Sequence, residues 1–226
     1  MVFAPIPPMS RAQIRQYDAD AIARGVPGIV LMENAGRGVA DWMEELGITG
    51  PVAIVCGKGN NGGDGFVIAR QLQTRGHDVR VAMLVHPVKL AGEAATAWTS
   101  FQSLPIPRTM TAGDDSALEK VLDGCEWVVD ALLGTGTVGQ VREPFASAIR
   151  IINKAGERGV KVMAVDLPSG LDCDTGVPND PTIKANYTAT FVATKIGFST
   201  PAARPFLGEV RVFDIGAGIM KTSGEA

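Results

Sequence analysis

The chain has 226 residues, 46% hydrophobic and 20% charged, with 21 basic against 24 acidic side chains and a net charge of −3. That length buries a substantial core without disulfide or metal staples, which predicts one soluble globular domain or at most a tight pair. The near-balanced charge argues against an electrostatic nucleic-acid binder and against a polybasic membrane-surface protein. No apolar run reaches the ~18 residues of a membrane span. The opening MVFAPIPPMS lacks the basic start and long apolar stretch of a secretory signal. Cys56, Cys125 and Cys173 form no C-x-x-C pair and leave one cysteine over, as expected of reduced thiols in a cytoplasmic protein.

In chain order, Ser10 and Gln13 form a capping-box signature, so a helix is expected from there to about Arg24, stopped by Gly25 and Pro27. A second helix is expected from near Gly28 to Gly47, carrying Ile29, Met32, Val39, Trp42 and Met43. Strand-like runs follow at 51–56, 79–85, 126–132 and 160–166, with helical stretches near 64–75, 90–103, 115–123 and 143–157 between them. Two later runs, 187–193 and 208–215, read as strands without a convincing helix to join them. Strands alternating with helices predict a three-layer α/β/α Rossmann-like sandwich with a mostly parallel sheet, preceded by an N-terminal helical pair. The Pro-rich start and the KTSGEA end are expected to be loose.

In open α/β sheets, ligands bind beyond the carboxyl ends of the strands. Three unusual segments each follow a predicted strand and should open onto that edge: Gly57–Gly65, Asp130–Gln140 and Asp166–Asp172. The first two each contain G-x-G-x-x-G, which suits a backbone approaching phosphate and equally suits a plain strand-to-helix turn. The second strand ends Met83-Leu-Val-His86 without the acid that would hold dinucleotide ribose hydroxyls, and no G-K-[ST] follows Lys58. A nucleotide-like ligand fits this pattern; ordinary dinucleotide redox binding and a P-loop do not. Asn60 and Asn61 bring amide donors and acceptors into the first loop, where Asp64 also suits a helix cap. Asp130 and Asp166 end apolar strands, where a carboxylate serves either function or a structural network of loop N–H groups. Ser169 lies in P-S-G rather than G-x-S-x-G. The two histidines, His77 in a helix-to-strand turn and His86 at a strand end, make neither a serine triad nor a zinc cluster.

These segments resemble the YjeF N-terminal domain family. Asn60-Asn-Gly-Gly-Asp-Gly65, Val129-Asp-Ala-Leu-Leu-Gly-Thr-Gly136 and Val165-Asp-Leu-Pro-Ser-Gly170 stand in that family's order and spacing. Leu31-Met-Glu-Asn-Ala-Gly36 and Ala193-Thr-Lys-Ile-Gly-Phe-Ser-Thr-Pro201, followed by Gly208-Glu-Val, fit as well. The resemblance spans about residues 10–217, the expected ordered core of a single domain over 1–226. It implies interconversion of the R and S forms of hydrated NADH and NADPH (NADHX and NADPHX), a repair reaction, because a companion dehydratase restores only the S form.

Residue by residue, the resemblance implies substrate contacts at Asn60, Asn61, Gly62, Gly63 and Asp64. It also implies them along Gly134, Thr135, Gly136, Thr137, Val138, Gly139 and Gln140, and at Asp166. One potassium ion per subunit is implied at Asn61, Asp130 and Ser169, with a main-chain oxygen joining; each position offers the oxygen a hard cation needs. No dehydratase domain follows residue 226, so an ADP- or ATP-dependent dehydratase is expected on a separate chain. A homodimer is expected, with no nucleic-acid or membrane partner. Inverting the hydroxyl on C6 of the ring requires proton transfer at oxygen, by loss and return of water or by ring opening and reclosure. Asp130 is the expected acid/base and Asp166 the expected positioning and charge-stabilising group. Because a carboxylate that binds a cation is a poorer base, the two roles are open to exchange. The competing reading is a non-catalytic nucleotide- or RNA-binding scaffold on the same fold, favoured by loss of the Asn-Asn-Gly-Gly-Asp loop or the strand-end aspartates; both are present.

Overall fold

The computed structural model describes residues 6–218. Ser10 makes the expected capping box: its hydroxyl accepts from the Gln13 N–H at 3.3 Å, and the Gln13 side chain accepts from the Ser10 N–H at 2.8 Å. Helix α1 (Arg11–Ala23) follows, and α2 (Gly28–Leu46) buries Leu31, Met32, Ala35, Val39, Trp42 and Met43. Next come β1 (Val52–Cys56), α3 (Asn60–Thr74), β2 (Val79–Met83), α4 (Gly92–Phe101), β3 (Arg108–Met110) and α5 (Asp115–Leu122). The rest is β4 (Trp127–Ala131), α6 (Phe145–Glu157), β5 (Lys161–Val165), β6 (Tyr187–Phe191), the short α7 (Arg204–Leu207) and β7 (Glu209–Phe213). The expectation for the KTSGEA end lies outside the described residues.

The strands form one sheet in the order β3-β2-β1-β4-β5-β6-β7, and every pairing is parallel. The expectation of a mostly parallel sheet is thereby exceeded. Alternation along the strands divides the interior in two. Val52, Ile54 and Cys56 of β1 join Trp127 and Val129 of β4 beneath α1 to α4. Ala53 and Val55 join Val128 under α5 and α6 on the other face. A third cluster, with Leu167, Leu171, Phe198 and Leu207, lies under the crossover from β6 to β7. The chain runs outward from β1 to β3, then returns to place β4 on β1's other side. The strand order therefore reverses between β1 and β4, the position where such sheets leave a crevice.

Two elements depart from the sequence reading. Strand β3, only three residues long with exposed Arg108 and Met110, is an edge strand too short and too polar to announce itself. Helix α3 starts at Asn60 rather than near Asp64, so the glycine-rich segment is the helix's first turns and not a loop before it. Glycine disfavours helix by roughly 1 kcal/mol per residue, but close packing overrides that here. A Cβ on Gly62 would stand 2.1 Å from the Gly57 carbonyl oxygen, and one on Gly65 would stand 2.7 Å from the Cys56 sulfur.

Candidate active site

Between the carboxyl edge of the sheet and the helical pair lies a cleft of about 520 Å³. Ile14, Arg15, Asp18 and Ile22 of α1 form its outer wall with Leu31, Met32 and Ala35 of α2. The inner wall is Lys58 to Asn61 and Asp64 after β1, Leu132 to Thr137 after β4, Asp166 after β5, and Phe191 and Val192 at the end of β6. All three expected segments therefore meet at one edge. Asn60, Asn61, Asp64, Gly134, Thr135, Gly136, Thr137 and Asp166 line the cleft.

The remaining expected contacts sit differently. Gly62 and Gly63 face inward, against the Gly57 carbonyl and the Met32 side chain, because α3 approaches its neighbours so closely there. Gly62 still offers its N–H, since the first turn of a helix has no intrahelical acceptors for its donors. Val138, Gly139 and Gln140 are exposed and do not line the cleft, because the segment leaves the sheet edge after Thr137. Apolar residues of the helical pair, Ile14, Ile22, Leu31, Met32 and Ala35, thus line this cleft.

Asp130 is wholly buried and is not part of the cleft wall. Its Oδ1 accepts from the Ser169 hydroxyl at 2.6 Å and the Leu132 N–H at 3.2 Å, and its Oδ2 accepts from the Ser169 N–H at 2.8 Å. Burial pushes its carboxyl up to about 6 against the pull of those donors. This is the structural network of loop N–H groups that the sequence left open as one reading of Asp130. Ser169 also accepts from the Leu133 N–H at 2.9 Å, while Asn61 donates to the Leu133 carbonyl at 3.1 Å. The Oδ1 of Asn61 is buried with no hydrogen-bond partner among the described residues. Such an orphaned acceptor, next to a carboxylate, a hydroxyl and a carbonyl, is a donor set that suits a hard cation.

Asp166 stands at the cleft with φ of +65°, and Val192 across from it has φ of +67°. The left-handed region is costly for a non-glycine residue and most of all for a β-branched one, by about 1–3 kcal/mol. Both outliers line the same cleft. Lys195, fully buried, reaches Asp166 at 2.7 Å and donates to the Phe191 carbonyl at 3.2 Å. Thr190 donates to the same Asp166 oxygen at 3.3 Å. Two further carboxyls share this field. Burial and repulsion from Asp166 and Asp18 hold the Asp64 carboxyl well above its ordinary value. Burial and Asp166 push Asp18 up to about 6, with Lys195 opposing.

Sequence reasoning gave no role to Lys195, Asp18 or Arg11. A lysine inside the apolar run FVATKIGF was the available signal for Lys195. Arg11 donates from Nε to the Thr135 carbonyl, and from Nη2 to the Thr137 carbonyl at 3.3 Å and to Asp172 at 3.1 Å. It thereby fastens the 134–137 segment over the cleft. The histidines stand outside the cleft: His77 bonds Glu44 at 3.0 Å and His86 caps a short 3-10 turn.

Residues 28–197 match the family described as YjeF-related protein N-terminus. The chain is 40% identical over 212 residues to an NAD(P)H-hydrate epimerase from Rhodopirellula baltica, covering 93% of this chain and 85% of the relative. It is 42% identical to one from Pirellula staleyi, covering 91% of each. A bifunctional NAD(P)H-hydrate repair enzyme from Methanothermobacter thermautotrophicus is 43% identical over 92% of this chain but only 40% of its own length. The crystal structure of the yeast protein ynu0 superposes with a TM-score of 0.77 over 92% of this chain and 88% of that one, at 22% identity, which speaks for the fold alone.

Proposed function

The chain belongs to the family of YjeF-related protein N-termini, and from that premise we infer that it is an NAD(P)H-hydrate epimerase, interconverting the R and S forms of hydrated NADH and NADPH. Within the cleft, the observation that carries this reading is the meeting of two features. The α3 N-terminus, with free N–H groups at Asn60 to Gly62, suits the substrate's diphosphate. The Asp166–Lys195 pair, on the same cleft, suits a charged ring. Arg15 and Lys58 on the rim add positive charge on the nucleotide side.

We assign the proton-transfer role to Asp166, since it lines the cleft, rather than to Asp130, which is wholly buried and not on the cleft wall. Lys195 at 2.7 Å and the Thr190 hydroxyl at 3.3 Å hold the Asp166 carboxyl in place at the cleft. Asn61, Asp130 and Ser169, joined by the Leu133 carbonyl, would hold a potassium ion, supported by the unpartnered Asn61 oxygen. Bound there, the ion would supply positive charge that neutralises Asp130 and fixes the strand-end loops around the substrate.

The product goes to a dehydratase activity, in keeping with the bifunctional repair relatives, which are longer than the region they share with this chain. Free, buried Cys56, Cys125 and Cys173 support a reducing, cytoplasmic setting. A homodimer is supported by exposed Ile22 and Val30 on the helical pair, and sedimentation as a monomer with full activity would remove it.

The test combines the R form of the hydrate with an S-specific, ADP-dependent dehydratase and follows the return of reduced-nicotinamide absorbance. Adding the protein should accelerate conversion of the R form, and no acceleration would refute the activity. Asp166→Asn should lower turnover by a factor on the order of 10²–10⁴. Asp130→Asn should instead recover at high potassium, by mass action on a weakened site. The reverse pattern would return the proton-transfer role to Asp130.

A further inference from the structure

Helix α1 aims a stripe one turn apart, Ile14, Asp18 and Ile22, at the cleft. The two outer positions are apolar, Ile14 buried against the core and Ile22 at the exposed end of the wall. The middle one is a carboxyl group whose Oδ1 is buried with no hydrogen-bond partner among the described residues. An unpartnered carboxylate oxygen there destabilises the wall it belongs to, and packing gives no reason for it.

The helix has little freedom to turn Asp18 elsewhere. Just before it, the Met9 N–H donates to the Thr194 carbonyl at 2.9 Å and the Met9 carbonyl accepts from the Ile196 N–H at 3.1 Å. The start of α1 is thus laid beside the segment that carries Lys195. At the first turn Arg11 grips the Thr135 and Thr137 carbonyls, and just past the last turn Arg24 donates to the Ala217 carbonyl at 2.6 Å. Asp18 is therefore held on the helical wall, while Asp166 is held on the sheet wall by Lys195 and Thr190. The groups whose fields reach Asp18 are Asp166 and Lys195 from the sheet edge, and Asp18 in turn acts on Asp64 of α3.

Resting on the epimerase reading, we propose that Asp18 is the second proton-transfer residue, working from the helical wall of the cleft against Asp166 on the sheet wall. Inversion at a ring carbon by loss and return of water needs a proton donor on one face and an acceptor on the other, and one carboxylate cannot serve both. With the hydroxyl facing a protonated carboxyl, the C6–O bond breaks and that carboxyl gives its proton to the leaving oxygen, releasing water. The ring-nitrogen lone pair forms the N–C6 double bond, leaving a planar cation. Water then forms the new C6–O bond on the opposite face and passes its proton to the opposing carboxylate, and the electron pair returns to nitrogen. One carboxyl ends protonated and the other ionised, in the reverse of their starting states. Each protonation state of the free enzyme thus suits one epimer. The environments already differ in that sense: burial and a neighbouring carboxylate favour the protonated form of Asp18, while a lysine pairs with Asp166.

The experiment uses heavy-oxygen water and the purified R and S hydrates, with the uncatalysed epimerisation rate subtracted. The wild-type protein should incorporate one heavy oxygen per inversion. Asp18→Asn should lose inversion by a factor on the order of 10²–10³ yet still exchange oxygen, with retention, on one epimer. Asp166→Asn should do the same on the other epimer. That complementary selectivity is a signature a merely structural role would not produce. NADP⁺ affinity within a few-fold of wild type checks that each variant is folded, and Asp18→Glu, which keeps the carboxyl, should regain part of the inversion. Inversion by Asp18→Asn within about threefold of wild type would overturn the proposal. So would equal loss of exchange and inversion on both epimers, or wild-type inversion without heavy-oxygen uptake. A wild-type protein that does not epimerise at all would refute the assigned activity itself, a result distinct from each of these.

Discussion

At the scale of the residue, Asp18 couples function to stability. Burial first, then Asp166, raise its carboxyl from 3.8 to about 6 in the folded protein. Folding therefore takes up a proton between those two values, so stability falls as pH rises through that window and stays lower above it. Asp18→Asn removes the ionisation penalty and should stabilise the protein at neutral pH by on the order of 2–3 kcal/mol. The advantage should vanish below pH 3.8, where both side chains are neutral. Urea titrations at the two pH values measure it, and an equal advantage at both would exclude ionisation as the cause. Residues of this kind divide sharply in how well the sequence exposes them. Asn61 was legible because it lies among glycines just after an apolar strand, and Asp166 because it ends one, where a polar residue needs a reason. Asp18 was not, because an aspartate in a helix of mixed polarity looks like surface until the helix is folded over a cleft. Asp130 was legible as special, but its partner Ser169 was not, because the two meet only when β4 and β5 lie side by side.

At the scale of the element, helix α3 depends on lacking side chains where it crosses β1 and β4. A Cβ at Gly65 would stand 2.7 Å from the Cys56 sulfur and 2.8 Å from the Ala131 Cβ, both on strands inside the sheet that have little room to move. Gly65→Ala should therefore cost about 1–3 kcal/mol from overpacking, set against roughly 1 kcal/mol gained in helix propensity. The expected net result is a lower urea midpoint and weaker substrate binding, since α3 must shift and carry Asn60, Asn61 and Asp64 with it. A higher midpoint would show that the propensity gain dominates and that α3 can tilt away freely. The same packing explains the legibility of the elements. Strands β1, β4 and β5 are runs of apolar residues buried on both faces, and their signal survives any context. The first turn of α3 reads as loop because its glycines report contacts made across the fold, which local sequence does not contain.

At the scale of the molecule, the cleft is built from residues as far apart in sequence as Ile14 and Ile215, brought together only by the completed sheet and its helical roof. No fragment of the unfolded chain can hold these groups in place. Anything bound there therefore binds the native state almost exclusively and stabilises the whole fold by RT ln(1 + [L]/Kd), about 2.7 kcal/mol at a hundredfold excess over Kd. The cation site proposed at Asn61, Asp130 and Ser169 provides the sharpest case. These residues join α3, β4 and the segment after β5 through the Leu133 and Ser169 hydrogen bonds, so a cation bound there would tie three strand-end segments at once. Exchanging tetramethylammonium for potassium at constant ionic strength should raise the urea midpoint in proportion to the logarithm of potassium concentration once the site is saturated. The slope of the transition should stay unchanged, because the surface exposed on unfolding is the same. Ser169→Ala removes one oxygen ligand and should flatten the potassium dependence, even though the variant is less stable in either salt. Sodium should have a weaker effect than potassium if the site is specific for potassium. Equal midpoints in potassium and tetramethylammonium would mean that no cation binds the folded protein there, and the unpartnered Asn61 oxygen would then have to be satisfied by water or by substrate.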